Sequence, residues 1–502
     1  MTYPVAPLGY YVPLGAGRFL GGPQVNREQL LYGLEIDWDN DGLFNGSNDA
    51  FWMIPGGWES ARGRENFIKS SGDGFERIDA GTCTIFLDNT DGRYTPRNVN
   101  SPLYPHLLSN EPRLVRYWVK NKETGNFYNI IAGLMISFRP QNDSRGRSKL
   151  RIDIRDGMDY LHGQNVNVDI QTGIGTDTAI GLVLDDVGWL WGRNLENGVD
   201  TIPYWWVYNR SPYTTIMNLA ESELATFFIA ANGDATLYTR FYSDPSPISL
   251  SSAEISPEIG ESQPSETFRD RVIIRVHPLI LRAGVDVWTL QDVPTFIAAG
   301  ETREFWPEFK YENRDVPVQN PTVDTFTANS LSNGSGTDYS ANFTLVFTPF
   351  GDGGKLAVTN NGDDAWIIAT IMSGDALDSP YPVGVRTGSG QNAIEIDLSW
   401  QQKTASGQEN ADYLLTLLSD PTKYYLTVSM EDLPDTQFAE LFRWVDLSIP
   451  SKGISDLFRI TKIHHRALKR RVVRTTWWLE PTLDLAVSNL TQLPFQLPAR
   501  LP

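Results

Sequence analysis

Apolar and polar residues alternate along much of this chain. Leu150-Arg-Ile-Asp-Ile-Arg155 is the cleanest case, a strand pattern with one buried and one wet face. Thr82-Cys-Thr-Ile-Phe-Leu87 alternates likewise, with Cys83, Ile85 and Leu87 on one face, and Asp88-Asn-Thr-Asp-Gly92 follows as a turn. Leu31–Ile36, Arg271–Val276, Phe343–Phe347, Trp366–Ile371, Tyr425–Ser429, Trp444–Ile449, Phe458–Ile463 and Val472–Leu479 read as further strands, with Arg271–Val276 a central one. Helical spacing is rarer. Ile180, Val183, Leu184 and Val187 fall at i, i+3, i+4 and i+7, with Thr176 or Asp177 as N-cap. Ser211-Pro212 opens a second helix, with the stripe Ile216, Leu219, Ala220, Leu224 and Phe227. Ala411, Leu414, Leu415 and Leu418 mark a third. Asn232-Gly233 signals a hairpin before Ala235–Arg240. The pattern predicts a mainly β protein with a minor α component.

At roughly 150 residues per domain, 502 residues allow about three domains. Residues 1–29 hold Pro4, Pro7, Pro13, Pro23, Gly15, Gly17, Gly21 and Gly22, and read as an extended arm. Residues 317–400 change character: two basic residues (Lys355, Arg386) stand against nine acidic ones, among Asn, Thr, Ser and Gly. They read as a small β-sandwich inserted into a larger domain. The tail past Pro481 is irregular.

Charge narrows the function classes. The 42 Lys+Arg against 61 Asp+Glu give a net charge of −19, which disfavours a dedicated nucleic-acid binder. A single cysteine, Cys83, excludes an intrachain disulfide framework and zinc clusters built on Cys. No apolar run approaches the roughly 20 residues of a membrane helix. The first residues lack the basic and apolar regions of a signal peptide, so the chain is expected to be made in a cytoplasm or exported by another route.

One motif points to a cation. Asp37-Trp-Asp39-Asn-Asp41-Gly42 matches the first half of a calcium loop: three carboxylates spaced two apart can converge on one ion, and Gly permits the sharp turn. Leu43 would supply a backbone carbonyl and Asn45 a ninth-position ligand. Position twelve is Asn48 rather than a bidentate Glu, so affinity is expected to be weak, and an Asx-rich turn without an ion is the alternative. No other cofactor is expected. His464 and His465 are adjacent on a strand end, face opposite ways, and cannot chelate together. No nucleophile elbow, zinc-protease helix or phosphate loop occurs, and a carboxylate pair such as Glu221 with Asp185 is not singled out by spacing. No catalytic residue is therefore assigned, and the chain is not read as an enzyme. The basic run His464-His-Arg-Ala-Leu-Lys-Arg-Arg471 reads first as a solvated hairpin tip and second as a surface that docks on an acidic neighbour. Trp205-Trp206 and Trp477-Trp478 could stack on sugars, but adjacent strand aromatics are expected mostly to split between core and interface.

Three stretches together resemble a known family: Leu34–Phe44 with Ala61-Arg-Gly-Arg64, Ala80–Pro96 with Asn100-Ser-Pro-Leu-Tyr104, and Ile216–Glu223 leading to Asn232–Arg240. This ordered set is similar to the hub module of tail-tip and minor tail proteins of long-tailed bacteriophages, itself similar to baseplate hubs of contractile tails. The resemblance implies two tube-like β-barrel domains per chain and a homotrimeric ring at the distal end of the tail in the virion. It implies a structural role: closing or adapting the tail tube, contacting the tube or distal-tail ring, and attaching tip or fibre proteins. DNA would pass through the ring without sequence recognition, and an acidic lumen would repel its phosphates. The implied plan is arm 1–29, first barrel 30–165, helix-containing insert 166–264, second barrel 265–316 plus 405–485, inserted sandwich 317–400 and tail 486–502. Two alternatives stand beside it: a tail-associated glycan hydrolase or peptidase, and a carbohydrate- or receptor-binding module centred on 317–400.

Overall fold

Seven strands carry the alternation of the first third of the chain: β1 (Leu30–Ile36), β2 (Ala50–Met53), β3 (Gly57–Gly63), β4 (Thr82–Asp88), β5 (Arg113–Asn121), β6 (Phe127–Asn142) and β7 (Ser148–Asp156). In this computed structural model residues 30–482 are described, apart from 47–48, 54–56, 70–73, 110, 143–145, 263–267, 351–352, 421–423, 432, 434 and 470–471. The arm 1–29 and the tail 486–502 lie outside the described residues. The strands pair in the order β2-β1-β5-β6-β7-β4-β3, each antiparallel to its neighbour. Their alternate side chains meet in one core: Leu34 and Ile36, Cys83 and Ile85, Val115 and Tyr117, Ile152 and Ile154. Burial at about 25 cal/mol per Å² of apolar surface is what holds the strands in this register, because a one-residue slip would turn every such side chain outward.

The free edge of β3 takes a partner nearly 400 residues away. Gly63 stands opposite Lys462 and Glu59 opposite Arg466, on the strand Ile454–Lys469. From there Val472–Pro481, Tyr425–Glu431 and Gly260–Ser262 extend the sheet, and Trp444–Ile449 with Ile248–Ser251 branch from it, for thirteen strands in all. The mainly β fold is as expected. The two closed barrels are not: among the described residues the pairing path is open, from β2 to Gly260–Ser262, and the two halves are spliced edge to edge. A strand has only two edges, and β3 spends its second one on the other half of the chain rather than on closing its own.

Residues 157–238 carry α1 (Gly157–His162), α2 (Thr176–Asp186), α3 (Pro212–Ser222), a two-stranded antiparallel sheet of Val166–Gly175 with Thr201–Arg210, and a three-stranded sheet of Arg193–Leu195, Thr226–Ile229 and Ala235–Tyr238. The α1 turn was not expected. Asp156 ends β7 and caps α1 by accepting the Met158 N–H at 3.0 Å, and also accepts Gly81 N–H at 2.8 Å. Burial pushes the Asp156 carboxyl up to about 7. The N-cap of α2 is Gly175, not Thr176 or Asp177. Thr176 instead donates its hydroxyl to Glu223 at 2.6 Å, and Asp177 accepts Gly198 N–H at 2.9 Å, so tertiary partners claim both candidate caps. Ser211 and Pro212 open α3 as read, but the helix stops at Ser222: Leu224 takes a positive φ of 57° and Phe227 lies in the next strand.

The domain plan changes most after residue 265. Arg271–Val276 is central, as expected, between Val383–Gly388 and Ala393–Asp397, and α4 (Thr404–Leu418) packs on this sheet through Ala411, Leu414 and Leu418. The inserted unit spans 280–378 rather than 317–400. Ile280–Thr289, Thr295–Ile297 and Val318–Asn329 all pair with Ala365–Asp378, while Thr302–Phe305 and Phe343–Phe350 flank Gly353–Asn360. These two sheets face each other over Leu290, Ile297, Leu356, Val358 and Ile367. The shift near Pro317 marks a change in composition, whereas hydrogen-bond pairing sets the boundary. The unit leaves and returns beside itself, since Val276 and Val383 are register partners.

Candidate functional site

The aspartate motif lies in the loop after β1. Asp37 is fully buried and its carboxylate accepts the N–H of Gly42 at 2.8 Å and of Asp41 at 3.2 Å. Asp41 accepts Leu43 N–H at 2.8 Å. One oxygen from each of Asp37, Asp39 and Asp41 lies within 4.8 Å of the others, so the structure brings the three predicted carboxylates together. The remaining ligands are not shown to converge. Asn45 turns its amide N–H toward Asp41 at 3.4 Å, and Leu43 is an exposed side chain whose N–H is already engaged. Asn48 lies outside the described residues. Asp49, one residue beyond the twelfth position, binds Gly46 N–H at 2.6 Å and so closes the loop. Burial raises the carboxyls of both Asp37 and Asp49 above the ordinary range. A calcium titration by calorimetry is expected to give a dissociation constant no tighter than about 10⁻⁴–10⁻³ M. Asp39→Ala is expected to abolish any heat and leave the melting temperature unchanged, because Asp39 is exposed; nanomolar binding would refute this.

Each of the carboxylates weighed for hydrolysis is paired with its own arginine. Glu221 pairs with Arg77 at 2.7 Å, and Asp185 with Arg193 at 2.8 Å. Within each tryptophan pair one ring is in the core: Trp205 and Trp477 are fully buried, while Trp206 packs edge-on to Trp400 and Trp478 lies under Lys462.

A buried polar network sits at the splice between the two halves. Arg62 of β3 pairs with Glu440 at 2.8 Å, and Glu440 also accepts Ala231 N–H at 2.7 Å, joining the first half, the second half and the helical region at one node. Arg459 donates Nε to Glu480 at 2.7 Å. Arg64 is buried between the rings of Phe67 and Phe442 and donates to the Glu76 carbonyl at 3.2 Å. Sequence reading missed this network, although Ala61-Arg-Gly-Arg64 was part of the resemblance; Glu440 and Phe442, which meet Arg62 and Arg64, are hundreds of residues away.

The adjacent histidines face opposite ways, as read. His464 meets Glu59 at 2.7 Å. His465 is buried against Thr475 at 2.8 Å, and burial, with Arg62 nearby, pushes its pKa down to about 3. An unfolded histidine near 6.5 binds a proton that the folded one refuses, so this contribution is present above that pH and is lost as pH falls. Between about pH 6.5 and pH 5 wild type should lose roughly 2 kcal/mol more than His465→Gln, read from urea midpoints. Parallel pH profiles would contradict it.

Neither a family model nor a curated protein sequence matches the chain. Among solved structures it is similar to the 43 kDa tail protein of prophage MuSo2 from Shewanella oneidensis, at 7% identity and a TM-score of 0.50, over 90% of this chain and 98% of that one. It is also similar to the tail protein from Neisseria meningitidis MC58, at 10% identity and a TM-score of 0.49 over 90% of this chain and 96% of that one. The prophage tail protein gp18 from Listeria monocytogenes EGD-e follows at 8% and 0.40, over 89% and 94%. Nine-tenths of the chain thus has the fold of a prophage tail protein, the class that the three sequence stretches resemble.

Proposed function

We propose that the chain is a structural tail protein, a hub at the distal end of a phage tail. Three copies form a ring that adapts to the tail tube or distal-tail ring, carries tip or fibre proteins, and lets DNA pass without reading its sequence. The observation that supports this reading most is the fold likeness along 90% of the chain, joined to a resemblance carried by separate sequence stretches. The splice fits the role. One sheet runs through both halves, and Arg62 and Glu440 at the splice pair with each other rather than facing a substrate. The net charge of −19 fits a conduit that must not retain a duplex.

Native mass spectrometry tests the ring. Three chains of 56.3 kDa are expected in one closed species, and a monomer at micromolar concentration would contradict it. A peptidoglycan zymogram is expected to stay dark; a lysis band would favour the hydrolase reading.

A further inference from the structure

The basic run near the C-terminal end of the sequence has a companion that composition hid. In the strand pair β6–β7, Arg139 stands directly opposite Arg151, and in the pair Ile454–Lys469 with Val472–Pro481, Arg466 stands directly opposite Arg474. Like charges directly opposite on a sheet repel, so each rung is a local cost in the free subunit.

The register places both rungs on one surface. Arg466 is opposite Glu59, Glu59 opposite Thr84, Thr84 opposite Asp153, and Asp153 opposite Ser137. Directly opposed residues share a face, and residues two apart along a strand share it too. Arg139, Arg151, Arg466 and Arg474 therefore project from the same face. Both hairpins also run toward the same end of the sheet: from the Arg466 row, the connections after Lys469 and after Asn142 lie in one direction. Three strand spacings, about 14 Å, separate the strand of Arg466 from that of Arg151. Arg147 and Lys149 add charge on the β7 side.

Existing carboxylates answer only part of this charge. Arg151 reaches Asp153 at 2.9 Å and Arg474 reaches Glu431 at 2.7 Å, while Arg147 and Lys149 lie near Asp88. Arg139 and Arg466 are exposed, and neither has a carboxylate within ion-pair distance among the described residues. In a protein of net charge −19, two repulsive arginine rungs aligned on one rim are complementary to something anionic.

We infer that this rim, centred on Arg139, Arg151, Arg466 and Arg474, is a docking surface for an acidic protein. Charge pattern selects protein over nucleic acid. Asp153, Glu59 and Glu431 interrupt the arginines, so an unbroken row of phosphates would meet carboxylates. Discrete acidic side chains on a folded partner can face each arginine and avoid them. The inference rests on the register alone and does not require the trimeric ring.

The test uses the full chain, with fluorescence anisotropy against a labelled short poly-L-glutamate and a DNA duplex of matched charge, at low and physiological salt. Wild type is expected to bind the polyglutamate more tightly than the duplex, and Arg139→Glu/Arg466→Glu is expected to weaken that binding about tenfold or more. A double reversal on the inserted unit and its neighbouring strand, Arg303→Glu/Arg386→Glu, changes net charge equally and should leave binding as it was. The melting temperature of Arg139→Glu alone should not fall, because its rung with Arg151 becomes an opposite-charge pair, whereas Arg466→Glu exchanges repulsion from Arg474 for repulsion from Glu59 and should be close to neutral. Salt-sensitive self-association lost in that variant supports the inference as well, with a second copy as the acidic partner. Preference for the duplex, equal loss in the control pair, or no polyglutamate binding at low salt would overturn it.

Discussion

Glu480→Gln is expected to cost about 3–5 kcal/mol of folding stability, a large share of the roughly 5–15 kcal/mol that holds a typical protein folded. Glu480 is buried and receives Arg459 in two hydrogen bonds. Burial works against the charge on Arg459, and Glu480, aided by Tyr413 and Tyr425, more than offsets it. Burial also lowers the pKa of Arg64, and Glu480 is the leading opposing influence there. One carboxylate thus serves a buried guanidinium, Arg64, and a half-buried one, Arg459, and the neutral amide leaves both without it. Breaking such a pair costs far more than the pair itself is worth, because a desolvated charge remains. Urea unfolding reads the effect. Glu431→Gln is the control: its pair with Arg474 is exposed, and its loss should cost less than about 1 kcal/mol. Equal losses in the two variants would show that the Glu480 site is solvated.

Gly63→Ala should cost about 2–4 kcal/mol and act on the splice itself. Gly63 has a φ of 95°, where an L side chain is strained, and an added Cβ would lie 2.1 Å from the Thr461 carbonyl oxygen and 2.9 Å from Lys462 Cα. Both are backbone atoms of the partner strand, and Arg64 N–H bonds that same carbonyl at 2.9 Å. The methyl can be housed only by parting the strands that join the two halves. Gly284→Ala separates strain from collision. Its φ of 61° carries the same conformational cost, but nothing lies within 4 Å of the new Cβ, so about 1 kcal/mol is expected. If the two variants lose equally in urea midpoint, the splice is not tightly packed.

Local chemistry was legible in the sequence. Alternation located β4 and β7, because a half-buried strand needs every second residue apolar, and the apolar run inside Arg271–Val276 located a central strand. Ser211-Pro212 located the start of α3, and Asn232-Gly233 its turn, with Gly233 at a φ of 95°. Spacing gathered Asp37, Asp39 and Asp41, since three residues in one loop cannot stray far.

What the sequence could not carry is the identity of distant partners. Thr176 is as good a cap as Ser211 by composition, yet Glu223, 47 residues on, takes its hydroxyl. The boundary near Pro317 is a real change in polarity, but Ile280–Thr289 belongs to the inserted unit because its backbone pairs with Ala365–Asp378. Arg466 and Arg139 are 327 positions apart, and only the chain of registers through Glu59, Thr84 and Asp153 aligns them. Propensity and periodicity are properties of neighbours along the chain and were fixed by sequence. Edge pairing is a choice among many compatible strands, decided by which arrangement buries the most apolar surface and leaves no backbone group unpaired, and that sum exists only in the folded molecule.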